Sequence, residues 1–167
     1  MFNLKQICLA SAVASFATTV SANTPITGVV QSKCSVHTDT QGVYANPTPD
    51  VLSTATSDGG ISPKIRYDVA LADNYIAKIS WPESFSSSPT LTDSIAWTGS
   101  VEVAEVTDPL MSAYEPAKRE YNNTTEYDLT ESGTTWFKVE SKAEYGYDKT
   151  LPGGNYVALV VAECIAK

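Results

Sequence analysis

From Asn23 onward the apolar residues recur at every second position in short runs, and no stretch sustains the three-and-four spacing of an amphipathic helix. Side chains at period two belong to half-buried strands, so the chain is constrained to sheets. The runs are rich in Val, Ile, Thr and aromatic residues and are bounded by clusters of Gly, Pro, Ser, Asn and Asp. In "KIRYDVAL", Ile65, Tyr67, Val69 and Leu71 alternate with Arg66, Asp68 and Ala70. "YIAKISW" puts Tyr75, Ala77, Ile79 and Trp81 on one face, and Pro82 stops it. "SIAWTGSVEV" does the same with Ile95, Trp97, Gly99, Val101 and Val103.

Between these runs lie polar connections. His37 to Gly60 reads as a long polar stretch in which "NPTPD" and "SDGG" mark turns. Thr107 to Thr125 reads as an irregular connection with one short edge strand. "TEYDL", the turn "TESGT" and the strand "TWFKVES" follow, and a final element comes after "LPGG". Six or seven strands at regular spacing without helices predict an antiparallel β-sandwich of immunoglobulin-like type.

The first 22 residues, "MFNLKQICLASAVASFATTVSA", have a basic start at Lys5, an apolar middle and a small-residue finish. That is the anatomy of a secretory signal peptide, with cleavage before Asn23. Serines and threonines break the apolar part, which falls short of the roughly 18 continuous apolar residues of a membrane span. The remaining 145 residues suffice for one domain. They carry 10 basic and 19 acidic residues, a formal charge of −9. So acidic a chain, without a Lys/Arg cluster, excludes nucleic acid as a natural partner.

Two cysteines survive cleavage, Cys34 and Cys164. In an exported protein an isolated pair defaults to a disulfide. Neither has a neighbouring ligand at zinc-type spacing, so no metal and no cofactor is expected. His37 is the only histidine and no nucleophile motif such as G-x-S-x-G occurs, so no catalytic residue is assigned and no enzyme is expected. "NNTT" contains glycosylation sequons at Asn122 and Asn123, but a polar loop tip is the more economical reading. Trp81 and Trp97 are in register with the apolar faces of their strands and are expected in the core. Trp136 is out of register with Phe137 and Val139, so one of those two faces looks toward solvent or a partner.

The last run raises the question of cover. Val157, Leu159 and Val161 form one face, and Tyr156, Ala158, Val160, Ala162, Cys164 and Ala166 the other, so both faces expect a neighbour. An immunoglobulin-type sandwich has a further strand after this one, and none is read in the sequence. The expected fold is therefore an incomplete immunoglobulin-like antiparallel β-sandwich lacking its final strand. A bare edge of that kind is either hidden or used for pairing.

At this point the chain resembles the pilins, fimbrial subunits assembled by the chaperone-usher route. "NTPITGVVQSKCSV" is similar to a donor extension running into a first strand, and "GGNYVALVVAECIAK" to a terminal strand, with Gly154 where these subunits carry a glycine before their chaperone-binding strand. "KIS", "SSSPTL" and "SIAWTGSVEV" are similar to the colonisation-factor class, and "SKCSVHT" to the spore-coat-protein-U relatives. The resemblance implies a donor extension at residues 23–32, with Ile26, Gly28 and Val30 as donor residues, and a sandwich domain at residues 33–167. It implies an acceptor groove and chaperone-binding strand at Gly154, Val157, Leu159 and Val161, with the Cys34–Cys164 disulfide tying the two strands that flank the groove. The implied partners are other copies of the chain or sister pilins, a periplasmic chaperone and an outer-membrane usher. The implied place is an extracellular fimbria or the cell surface, reached through the periplasm, in adhesion or biofilm formation. A second expectation, from the aromatic run "TWFKVESKAEYGY", is a monomeric secreted sandwich that binds carbohydrate or a host surface through Trp136, Tyr145 and Tyr147.

Overall fold

The computed structural model describes residues 25–28, 34–146 and 149–167. The expected signal peptide, residues 1–22, and the donor residue Val30 lie outside them. The chain divides into Met1–Val30 and the compact unit Gln31–Lys167. In the first, residues 25–28 form no helix or strand and Ile26 is exposed.

The compact unit is an all-β sandwich. Its strands are β1 (Cys34–Thr40), β2 (Ala45–Thr48), β3 (Val51–Ser53), β4 (Lys64–Val69), β5 (Tyr75–Ser80) and β6 (Phe85–Ser87), then β7 (Ile95–Val106), β8 (Arg119–Tyr121), β9 (Thr124–Leu129), β10 (Gly133–Tyr145), β11 (Val157–Ala158) and β12 (Val161–Ala166). All pairings are antiparallel. β10 is the spine of the larger sheet. Along one edge it pairs with β7, and along the other with β4 in its first half and β3 in its second. β1 flanks β4 and β2 flanks β3. The opposing sheet runs β12-β5-β9-β8, and β6 pairs with β11 as a separate short ribbon.

Period two does what the pattern predicts. Ile65, Tyr67 and Val69 of β4, Tyr75, Ala77 and Ile79 of β5, and Phe137 and Val139 of β10 are buried between the sheets. The aromatic centre is Phe137, edge-on to Tyr67 with ring centroids 5.4 Å apart and tilted against Tyr127 at 4.5 Å. Two tyrosines tie the layers in opposite directions. The Tyr127 hydroxyl donates to the Val101 carbonyl at 2.9 Å, and the Tyr67 hydroxyl donates to the Glu163 carbonyl at 3.1 Å. Burial pushes the pKa of both phenols up, reinforced by Glu163 for Tyr67 and by Glu115, Glu120 and Glu102 for Tyr127.

Trp81 packs against the core as expected and explains a glycine. A Cβ at Gly99 would stand 2.6 Å from Trp81 Cγ and 2.7 Å from the Glu140 carbonyl oxygen. Gly99 holds a core-facing register position but carries no side chain because the indole lies there. Beyond it the β7–β10 register slips by one residue: Val103 faces Phe137 but Glu105 faces Trp136, so Ala104 is the extra residue of a bulge. The slip lets Val106, at an even number, join the same packed face as Val103.

Two stretches depart from expectation. The polar region from His37 to Gly60 contains the β2–β3 hairpin, and Val51, Leu52 and Ser53 are all buried. With both faces of β3 covered, its three residues show no alternation for a periodicity reading to detect. The irregular stretch from Thr107 to Thr125 does hold one edge strand, β8, and it also coils into a 3₁₀ turn, Pro109–Ala113, and a single α turn, α1 (Tyr114–Ala117). Asp108 caps the first by accepting from the Leu110 amide at 2.8 Å. Met111 and Tyr114 are buried there, and helices so short carry too few residues to display a helical period.

Candidate functional site

Each sheet has an edge strand on the same flank of the sandwich, β1 in one and β12 in the other. β1 pairs only with β4 and β12 only with β5 among the described residues, so both present an unpaired edge. The disulfide joins Cys34, the first residue of β1, to Cys164 near the end of β12, with their Cα atoms 6.3 Å apart. Away from the bridge, a cavity lies in the cleft between the end of β1 and the segment leading into β12, bordered by Thr38, Tyr44, Val157 and Val160.

The floor of the cleft is the side of the core. Cys34 and Val36 from β1, and Val160, Ala162 and Cys164 from the terminal segment, are half-buried against it. At the open end a cavity of about 370 Å³ is lined by Thr38, Tyr44, Pro63, Ile65, Ala158 and Val160, among others. The Tyr44 hydroxyl lies 2.6 Å from the Ser141 hydroxyl. Burial raises its pKa, with the Ser141 bond opposing. Apolar walls with a few hydroxyls suit an apolar side chain rather than an ion.

The structure divides the sequence-derived groove residues by face. The even-numbered Val160, Ala162 and Cys164 pack toward the core, whereas Val157, Leu159 and Val161 are exposed. Leu159 is the most open of these, 64% exposed. Val157 and Leu159 also border the cavity at its mouth, where the chain passes from β11 to β12. Sequence reasoning recognised two faces here, but alternation alone does not say which one looks inward. Gly154 precedes β11 with φ +154°, and a Cβ on it would stand 2.5 Å from Pro89 Cγ. Only glycine fits that close approach.

Among the donor residues, Ile26 is 99% exposed and a Cβ at Gly28 would meet nothing within 4 Å.

Of the aromatic residues read from "TWFKVESKAEYGY", Trp136 and Tyr145 do not share a face. Trp136 and Tyr145 are an odd number of residues apart in β10 and point to opposite faces. Trp136 is half-buried on the outer face and its indole N–H donates to Asp39 at 3.2 Å. Tyr145 is buried and bonded to Thr92, and Tyr147 lies outside the described residues. Trp97, expected in the core, is instead half-buried outside the central cluster, with ring centroids 4.8 Å from Phe85, which also packs against Tyr156 at 5.0 Å. At the β8–β9 turn, Asn122 adopts a left-handed φ of 52° and the Asn123 amide donates to the Trp81 carbonyl at 2.7 Å. The Asn123 side chain is thus a structural tie.

His37 has a hydroxyl and a carboxylate for neighbours, Ser35 at 3.1 Å and Asp68 at 3.7 Å. Both distances are to Nε2. A catalytic triad needs one ring nitrogen on the nucleophile and the other on the carboxylate, so this trio lacks the geometry. The cleft is the feature with chemical meaning, because unpaired backbone amides and carbonyls line both of its edges among the described residues. No family model matches the chain, and neither a curated protein nor a solved structure matches it.

Proposed function

We propose that this chain is a structural subunit of an extracellular fimbria or related surface fibre, in which each copy inserts residues 23–32 into the β1–β12 cleft of the next. The observation that carries the reading is the pair of facing, unpaired strand edges over a half-covered apolar floor. Such a gap takes an extended segment, which supplies hydrogen bonds to the edges and alternate side chains to the floor. Ile26, Gly28 and Val30 stand at alternate positions of the segment that precedes β1.

The contact is head-to-tail and does not close on itself, so it generates filaments. Before assembly the exposed edge is an aggregation hazard. The resemblance to chaperone-usher subunits accounts for that hazard: a periplasmic chaperone covers the cleft and an outer-membrane usher exchanges it for the incoming segment. The secretory signal read in residues 1–22 fits export along that route.

Deleting Asn23 to Val30 tests the reading. The truncated protein is exported and folds but forms no fibres by electron microscopy. Fibres of ordinary length from the truncated chain contradict donor exchange through this segment.

A further inference from the structure

A strand hydrogen-bonded on both sides needs two inter-strand spacings between its neighbours, about 9.6 Å. At the bridge the Cys34 and Cys164 Cα atoms are 6.3 Å apart, too close for a backbone to pass between them. The bridge stands at the start of β1 and near the end of β12, while the cavity lies at the end of β1 and the start of the terminal segment. The walls therefore run antiparallel, closed at the bridge and open at Tyr44 and Val157. Resting on the reading of the cleft as a strand acceptor, we infer that the Cys34–Cys164 disulfide is an end stop that sets how far, and in which register, the donor segment inserts.

The edge of β12 indicates where the stop acts. The Lys167 amide donates to the Asn74 carbonyl at 2.9 Å, one step beyond the Ala166–Tyr75 pair. Bonded pairs alternate along an antiparallel ladder, so odd-numbered residues bond to β5 and Ala162, Cys164 and Ala166 direct their amides to the free edge. Ala162 lies on the open side of the bridge, Cys164 at it and Ala166 past it. The reach from Val157 to Ala162 spans about 17 Å at strand rise and accepts three inward side chains. Ile26, Gly28 and Val30 are three residues at that spacing.

The test is amide hydrogen exchange on the full chain, with and without excess synthetic peptide of residues 23–32. With the bridge intact, exchange at Ala162 slows about tenfold or more, while Cys164 and Ala166 keep their rates. In the Cys34→Ser/Cys164→Ser variant the slowing extends to positions 164 and 166. Equal slowing at Ala162, Cys164 and Ala166 in the bridged protein overturns the end stop while leaving insertion standing. A folded double variant with the boundary still at Ala162 also overturns it. Should the double variant fail to fold, the bridged pattern decides alone. No change at any of the three amides overturns strand insertion itself.

Discussion

The Tyr67 hydroxyl donates to the Glu163 carbonyl at 3.1 Å, reaching from the larger sheet across the core to the middle of β12. β12 is an edge strand with only β5 beside it among the described residues. The Tyr67 bond is thus a tie that the edge strand receives from the opposite sheet. Replacing Tyr67 by Phe keeps the ring edge-on to Phe137 and removes only the hydroxyl. The expected loss is about 1 kcal/mol of unfolding free energy, measured by denaturant titration. Faster amide exchange concentrated in β12 accompanies it.

Alkali tests the same tie from the other side. The folded pKa values of Tyr67 and Tyr127 are raised above the ordinary 10.0, chiefly by burial. The unfolded chain therefore releases their protons first, and stability that is fully present below pH 10 falls as pH rises from there through the folded values. Tyrosinate absorbance followed against pH is expected to leave these two phenols silent until the fold opens. The Tyr67→Phe and Tyr127→Phe variants have shallower losses above pH 10.

The disulfide closes a separation of 130 residues. Loop entropy for a closure of that size is about 5 kcal/mol, an upper figure from which any native strain subtracts. Reduction should lower the denaturation midpoint by a corresponding amount, and mass analysis of the oxidised protein should find no alkylatable thiol at Cys34 or Cys164.

Gly99 is predicted to be intolerant of any side chain. A methyl group there meets the Trp81 ring and the Glu140 carbonyl, and the carbonyl belongs to the central strand and cannot move aside. Gly99→Ala is expected to destabilise by about 1–3 kcal/mol in chemical denaturation, despite the better strand propensity of alanine.

The strands whose two faces differ were legible in the sequence, because alternation is a direct image of half-burial. Tyr67, Ala77, Ile79 and Phe137 are all buried where period two places them. β3 was not, since Val51, Leu52 and Ser53 are covered on both sides and their flanking prolines resemble a loop. The bulge at Ala104 was hidden for a related reason: it shifts the face of Val106 without any turn residue to announce it. The unfilled edge was legible at the level of pattern, but the inward face of the terminal strand was not. Val157, Leu159 and Val161 are exposed while Val160, Ala162 and Cys164 face the floor, and a run that is apolar at both parities carries no signal for that choice. That Trp136 and Tyr145 fall on opposite faces of β10 follows from parity alone once the strand boundaries are known.

Fibre assembly by strand donation requires that the β1–β12 cleft accept this chain's own N-terminal segment. The most direct measurement is the thermal unfolding of the full chain with a synthetic peptide of residues 23–32, against the same peptide carrying Ile26→Asp and Val30→Asp. Binding to the native state alone adds about 2.7 kcal/mol at a hundredfold excess over the dissociation constant. Tm is expected to rise with the natural peptide and to stay unchanged with the charged one. An unchanged Tm with the natural peptide, or an equal rise with both, contradicts it.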